Sequence, residues 1–259
     1  MSDSKQIFDV EITTRCNKRC YSCPRLNFAR PNRDMSSDTF EALCAWLPRG
    51  SDVFFAGYGE PLLHDSLPDF IGKLFTKEIK ASVMTNGKLL SRDGIRELFE
   101  HGLHKLQISI LLKDGTQEMM KFVDIIGSEF YAKTQFNLMY DESTGKAEHL
   151  TESLERLGFK VSYKRIHSRG GHLYRNAEKA NPSPCGTFLY VTYIDTDGGL
   201  QICSNDINGE YNLGNIATLT FEQLFEKKRL NGDKVIAPIC ELCDDEYRLL
   251  NMRKLEETL

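Results

Sequence analysis

The sequence predicts an α/β fold: a partial (β/α)6 TIM-like barrel, followed by a small C-terminal piece built of a β-hairpin and a helix. Three observations lead there. Short β-branched and aromatic runs alternate with amphipathic helical windows about six times, the pattern of successive βα units on a parallel sheet. That periodicity fails between Gly170 and Pro184, where Gly170, Gly171, Pro182 and Pro184 punctuate the chain. Beyond it, a tail of about 75 residues carries four cysteines, and so short a piece has little core of its own unless metal ties it together.

The strands are expected over residues 7–13, 52–56, 81–85, 105–111, 135–140 and 159–165, each with a helical partner. The first helix is the clearest. Ser37 or Asp38 can cap it, and Phe40, Leu43, Cys44 and Leu47 recur at i, i+3, i+4 and i+7, which makes Cys44 a core residue. Leu150, Leu154 and Leu157 stripe a later helix that stops at Gly158, a residue free to adopt the left-handed closing conformation. Six units are too few for a closed eight-stranded barrel but enough for an open one with its site at the strand C-termini. In the tail, 189–194 and 200–203 read as a hairpin turning at Asp197-Gly198-Gly199, with a helix around 221–227. The division falls at 1–170 for the barrel and 171–259 for the tail.

Composition narrows the function. The 259 residues are 41% apolar and 27% charged with a net charge of -4, an ordinary globular balance without the Lys/Arg excess that nucleic-acid binding requires. No run approaches the ~18 apolar residues of a membrane span, and residues 1–10 lack a signal-peptide core. The expectation is a cytoplasmic protein without membrane or nucleic-acid partners. Eight cysteines in that compartment point to metal or catalysis instead of disulfides.

The first cysteines, Cys16, Cys20 and Cys23, follow the first strand in C-x-x-x-C-x-x-C spacing. Three thiolates suit neither a closed tetrahedral zinc site nor a fully ligated cluster. A 4Fe-4S cube held by three cysteines keeps one iron open to a small molecule.

The run EITTRCNKRCYSCPR resembles the cluster-binding loop of the radical S-adenosylmethionine (radical SAM) enzymes, and it resembles that loop also in following the first strand of a βα series. The resemblance implies that Cys16, Cys20 and Cys23 hold a 4Fe-4S cluster whose open iron chelates S-adenosyl-L-methionine. Reductive cleavage then yields a 5'-deoxyadenosyl radical, with electrons from a flavodoxin- or ferredoxin-type donor. One departure stands out: the family's aromatic residue before the third cysteine is replaced by Ser22, with Tyr21 one place earlier.

Ala56-Gly57-Tyr58-Gly59-Glu60-Pro61 after the second strand resembles the family's GGEP loop. The resemblance implies close approach of Gly57 and Gly59 to the methionyl amine, with Glu60 as acceptor and Pro61 completing the motif. Thr85 and Asn86 at the end of the third strand, and Ser109 in the fourth, resemble the family's ribose and carboxylate contacts. An ordinary Asn86-Gly87 turn is the rival explanation.

Cys185, Cys203, Cys240 and Cys243 gather in the tail, the last two as a C-x-x-C knuckle. By spacing alone they suit structural zinc as well as a cluster. The segment from Asn212 to Phe225, NLGNI leading into TFEQLF, resembles the SPASM or twitch region of radical SAM enzymes, and four cysteines match the shorter twitch form with one auxiliary 4Fe-4S cluster. A cluster with four protein ligands has no open iron. It therefore suits electron exchange with a substrate radical and a net oxidation.

Ser168-Arg169-Gly170-Gly171 resembles a loop of twitch-containing dehydrogenases of the 2-deoxy-scyllo-inosamine type, which implies that Arg169 contacts a substrate hydroxyl. An arginine is a poor general base, so orientation and charge stabilisation are its roles; a solvated arginine on a glycine turn is the bland alternative. His64, His167 and His172 are expected at the surface, and Glu226-Lys227-Lys228-Arg229 as a solvated helix end. The resulting expectation is a radical SAM oxidoreductase that dehydrogenates a small hydroxylated molecule in natural-product biosynthesis. Modification or epimerisation of a ribosomally made peptide is the first rival, and a non-catalytic zinc protein the second.

Overall fold

The computed structural model describes residues 6–114, 117–174, 185–231 and 237–246. Six parallel strands, β1 (Ile7–Val10), β2 (Asp52–Phe55), β3 (Lys80–Thr85), β4 (Lys105–Leu111), β5 (Thr134–Tyr140) and β6 (Lys160–Arg165), pair in sequence order. Helices α1 (Ser37–Trp46), α2 (Leu67–Thr76), α3 (Arg92–Glu100), α4 (Gln117–Ile125) and α5 (Glu148–Arg156) fill the crossovers. The α/β barrel-type fold is therefore present. The strands match the expected ones to within a residue or two, except that β1 ends at Val10 instead of Thr13.

Each helix is positioned by its own signals. Ser36, not Ser37 or Asp38, caps α1, its hydroxyl accepting from the Thr39 N–H at 3.1 Å, and Phe40, Leu43 and Cys44 are buried. Ser91 caps α3 in the same way through the Gly94 N–H. Leu154 of α5 is buried, but Leu157 lies exposed at the helix end, where Gly158 takes a φ of 97°.

Alternation along the strands separates two faces. Phe8, Val10, Val53, Phe55, Ala81, Val83, Leu106, Ile108, Phe136 and Leu138 face the helices and form the main core. The register sets Asp9 beside Phe54, Gln107 beside Gln135, Ser109 beside Asn137, and Met139 beside Lys164 on the other face. That face is polar. Asn137 donates to Gln107 at 2.9 Å, and Gln135 donates to Asn137 at 2.7 Å and to Ser162 at 3.0 Å. Lys164 and Asp9 perturb one another's ionisation across it, although five strand spacings in a flat sheet would separate them by about 24 Å. The sheet is curled, and this inner face is its lumen.

The tail does not stand apart. After the five-residue helix α6 (Gly186–Tyr190), β7 (Val191–Ile194) lies parallel beside β1, and β8 (Gly199–Gln201) and β9 (Asn212–Asn215) extend the sheet antiparallel to nine strands. The expected hairpin is thus found, with residues 189 and 190 moved into α6 because Cys185 opens a helical turn there. Helix α7 (Phe221–Asn231) and the short α8 (Pro238–Glu241) follow. Residues after α8 reach the opposite strand: Asp244 accepts from the Ser168 N–H at 2.7 Å, and Arg165 donates to Glu246 at 2.8 Å. The tail therefore extends one edge of the curled sheet and touches the other. Among the described residues no helix is long and apolar enough to cross a membrane.

Candidate active site

The loop leaving β1 is held from three sides before its cysteines begin. Thr13 donates to Asp34 at 2.6 Å, Thr14 to the Pro31 carbonyl at 2.9 Å, and Arg15 grips the Asp34 carboxylate through two nitrogens while a third bond reaches the Leu63 carbonyl. The carbonyl of Arg15 accepts from the Glu60 N–H at 2.7 Å, and Arg25 returns to the Thr14 and Tyr58 carbonyls. On this scaffold Cys16, Cys20 and Cys23 are free, half-buried thiols that sense one another's charge. Burial pushes the Cys20 and Cys23 thiols up; the Arg25 N–H, Arg169 and Arg25 pull Cys23 back.

The Cys16 sulfur accepts from the Lys18 N–H at 3.5 Å and from the Asn86 amide at 3.8 Å. Converging free thiols with hydrogen-bond donors aimed at sulfur fit the soft, thiolate-rich shell of an iron-sulfur cube. Among the described residues no three His, Cys, Asp or Glu side chains are gathered tightly enough for one metal ion, and the corners of a cube are farther apart than the ligands of one ion.

Gly59 explains the adjoining loop. A Cβ there would lie 1.8 Å from the Thr13 carbonyl oxygen, so only glycine lets this turn seat against the cysteine loop. Gly57 adopts a φ of 126° against the Glu11 side chain. Pro61 opens a single 3-10 turn. Glu60 is buried, and its carboxylate accepts from Thr85 at 2.7 Å, the Asn86 N–H at 2.8 Å and the Leu62 N–H at 3.2 Å. Burial raises its pKa against those bonds. It thus braces the ends of β2 and β3 together.

Thr85 is buried in the same brace, whereas Asn86 reaches outward to Asn17 in the cysteine loop at 2.8 Å. Ser109 lies half-buried on the luminal side of β4. Tyr21, 46% exposed, donates to Asp141 at 2.9 Å with Lys113 over its ring, while Ser22 is buried.

The second group forms around Cys203, whose thiol is pushed well above its ordinary range by burial and by Cys240, Cys243 and Cys185. Asn205 donates its N–H to the Cys203 sulfur at 3.3 Å and its amide to the Cys243 sulfur at 3.8 Å. Phe188, Ile202 and Ala237 pack beneath Cys185, Cys203 and Cys240. Again the donors point at sulfur in an apolar pocket, which suits a cluster.

A set of titratable side chains lies between the groups. Arg169, in the left-handed region at φ 55°, sets its guanidinium 6.0 Å from the centroid of the Tyr58 ring and within electrostatic reach of Cys23. Tyr58 donates to the Ser204 carbonyl at 2.5 Å, beside Cys203. Asp9, Glu11, Tyr58, Tyr193 and Ser204 line one cleft here. Burial raises the Asp9 carboxyl to about 7, with Lys164 opposing, and Lys164 is lowered chiefly by burial.

His64 and His167 are buried, not at the surface as their loops suggested: His64 bonds the Met35 carbonyl, and burial with Arg169 lowers His167 to about 4 beside Asp245 at 3.4 Å. His172 is half-buried against the Asn205 carbonyl. Asp9 and Lys164 were missed by sequence reasoning; Asp9 interrupts the apolar run of β1, which is a signal that marks it, whereas Lys164 lies in the polar run KVSYKR and carries none.

Residues 10–129 match the radical SAM superfamily. A tungsten-containing aldehyde ferredoxin oxidoreductase cofactor-modifying protein from Pyrococcus furiosus is 27% identical over 139 residues, 52% of this chain and 39% of that protein, so the chain spans well under half of it. An S-adenosyl-L-methionine-dependent 2-deoxy-scyllo-inosamine dehydrogenase from Niallia circulans is 24% identical over 258 residues, 92% of both chains. Among solved structures, BtrN in complex with AdoMet and 2-DOIA superposes with a TM-score of 0.67 at 21% identity, covering 95% of each chain. That likeness speaks for the fold. The superfamily match takes in the cysteine loop, so residues 10–129 are a radical SAM domain, a family that implies S-adenosylmethionine and a 4Fe-4S cluster, and the dehydrogenase relative aligns over nearly the whole chain.

Proposed function

We propose that the chain dehydrogenates a small hydroxylated molecule, using a radical SAM centre at Cys16, Cys20 and Cys23 and an auxiliary 4Fe-4S cluster at Cys185, Cys203, Cys240 and Cys243. The observation that carries this reading is the set of ionisable side chains near both cysteine groups: Arg169 lies over the Tyr58 ring and acts on Cys23 and Lys164, Tyr58 is within electrostatic reach of Cys23 and Cys203, and Asp9 and Tyr58 line one cleft. An apolar side chain would be poorly served there; hydroxyl and amino groups would find partners. The full-length resemblance to a scyllo-inosamine dehydrogenase supports the same substrate class.

Cys16, Cys20 and Cys23 would hold the cluster that with S-adenosylmethionine would supply hydrogen-atom abstraction from a carbinol carbon, and Cys185, Cys203, Cys240 and Cys243 would hold a cluster that would supply an electron acceptor. The protein's own groups handle orientation and the proton. Arg169 holds the hydroxyl and stabilises negative charge on its oxygen. Asp9, whose carboxyl is raised to about 7, receives the hydroxyl proton in its ionised form, and Lys164 offsets the carboxylate charge before that transfer. Gly57, Gly59, Asn86 and Ser109 border the S-adenosylmethionine site, while Glu60, Pro61 and Thr85 keep that border rigid. A flavodoxin- or ferredoxin-type protein delivers the starting electron.

Anaerobic reconstitution tests the proposal. It requires about eight irons per chain and dithionite-dependent 5'-deoxyadenosine. With a carbinol-deuterated aminocyclitol, deuterium should enter the 5'-deoxyadenosine as a ketone appears. Zinc without cleavage of S-adenosylmethionine would refute the chemistry, and deuterium transfer only from a peptide would refute the substrate class.

A further inference from the structure

Charge density marks residues 226–229 as a solvated helix end, and Glu226 and Arg229 behave accordingly, pairing at 2.7 Å with both side chains half exposed. Lys228 does not. It is 1% exposed, its Nζ donating to the Val191 carbonyl at 2.7 Å and to the Thr192 hydroxyl at 2.9 Å, with the Phe188 ring centroid 5.7 Å away. Phe188 lies on α6, the turn that Cys185 opens, and Val191 and Thr192 begin β7.

Two neutral acceptors and a ring face are weak compensation for a buried ammonium. Burial drives its pKa down to about 7, and the group among the described residues whose charge holds the proton on is Cys185. No carboxylate among the described residues pairs with it. What the site lacks is negative charge on the Cys185 side, and thiolates around an iron-sulfur cube would bring it.

We infer that Lys228 sets the reduction potential of the auxiliary cluster, its buried positive charge favouring the reduced form. The inference rests on the reading of Cys185, Cys203, Cys240 and Cys243 as cluster ligands. Taking up one electron adds one negative charge to the cube. A cation held nearby in a poorly screened interior stabilises the reduced state more than the oxidised one, so the potential rises. This serves a cluster that must accept an electron from a substrate radical.

The test uses the full chain with Cys16, Cys20 and Cys23 changed to alanine, so that only the tail cluster is loaded, and follows its reduction by electron paramagnetic resonance in a redox titration. Lys228→Gln keeps the hydrogen-bonding reach without the charge; Lys228→Arg keeps the charge. The midpoint should fall in Lys228→Gln and stay close to the parent in Lys228→Arg. A Lys228→Gln protein with a full cluster and an unmoved midpoint overturns the inference. Loss of cluster assembly in Lys228→Gln but not in Lys228→Arg supports it, and loss in both overturns it, since shape and not charge would then be what the site needs. If the parent tail takes up no iron, the auxiliary-cluster reading fails first and takes this inference with it.

Discussion

Asp9 offers the sharpest test of the luminal electrostatics. Its carboxyl moves from 3.8 to about 7, so the ionised form is disfavoured in the folded chain relative to the unfolded one. At about 1.36 kcal/mol per pH unit, that displacement is worth at most about 4 kcal/mol. The sign follows from proton counts. Between pH 4 and 7 the folded state binds more protons at this position than the unfolded state, so the Asp9 contribution makes stability fall as pH rises, and the loss is complete above about pH 7.

Asp9→Asn removes the titration while keeping the side-chain size. The variant should match the parent near pH 4 and gain on it steadily, by up to about 4 kcal/mol at pH 8.5. Urea denaturation of reduced, metal-free protein at pH 5 and 8.5 measures the difference. Lys164 and Tyr193, which face Asp9, are present in both proteins, and Asp9 raises the pKa of each in the parent. A stability difference that is flat between the two pH values, or that shrinks at the higher one, would refute the argument.

Gly59→Ala should drive Cβ into the Thr13 carbonyl and cost about 3 kcal/mol or more, read as a lowered denaturation midpoint together with loss of the SAM-cluster absorbance on reconstitution. Cys20→Ala should abolish 5'-deoxyadenosine formation, whereas Cys44→Ala, in the core of α1, should keep its iron content and lose only about 1 kcal/mol of stability. Thr85→Val removes the shorter of the two bonds to Glu60 Oε1, leaving the Leu62 N–H as its donor, and should cost about 1–3 kcal/mol by urea melt, with the carboxyl titrating higher still by isotope-edited infrared spectroscopy.

The parallel strands were legible because their apolar positions alternate with inward polar ones, and because parallel pairing requires helical crossovers, although the cap of α1 falls on Ser36, just before the expected Ser37 or Asp38. The C-x-x-x-C-x-x-C spacing marked Cys16, Cys20 and Cys23 as one group, and its likeness to a known loop supplied the chemistry expected of it. What local pattern could not express is tertiary. Lys228 reads as solvent-facing in a charged run, yet Val191, Thr192 and Phe188 enclose it from more than 30 residues earlier in the chain. His167 looks like a loop histidine until Arg169 and Asp245 close over it. Glu60 looks free to receive a ligand until the end of β3 supplies its donors.

The pairing of β7 with β1 has a consequence for biosynthesis. Ile7 is partnered by Val191, so one flank of the first strand waits until 184 further residues have been made. At roughly 5–20 residues per second, that flank stays bare for about ten seconds or longer, a window in which a nascent chain can pair with the wrong neighbour. Chaperone dependence during synthesis, and poor yield when the last strands are delayed or truncated, follow from that late arrival.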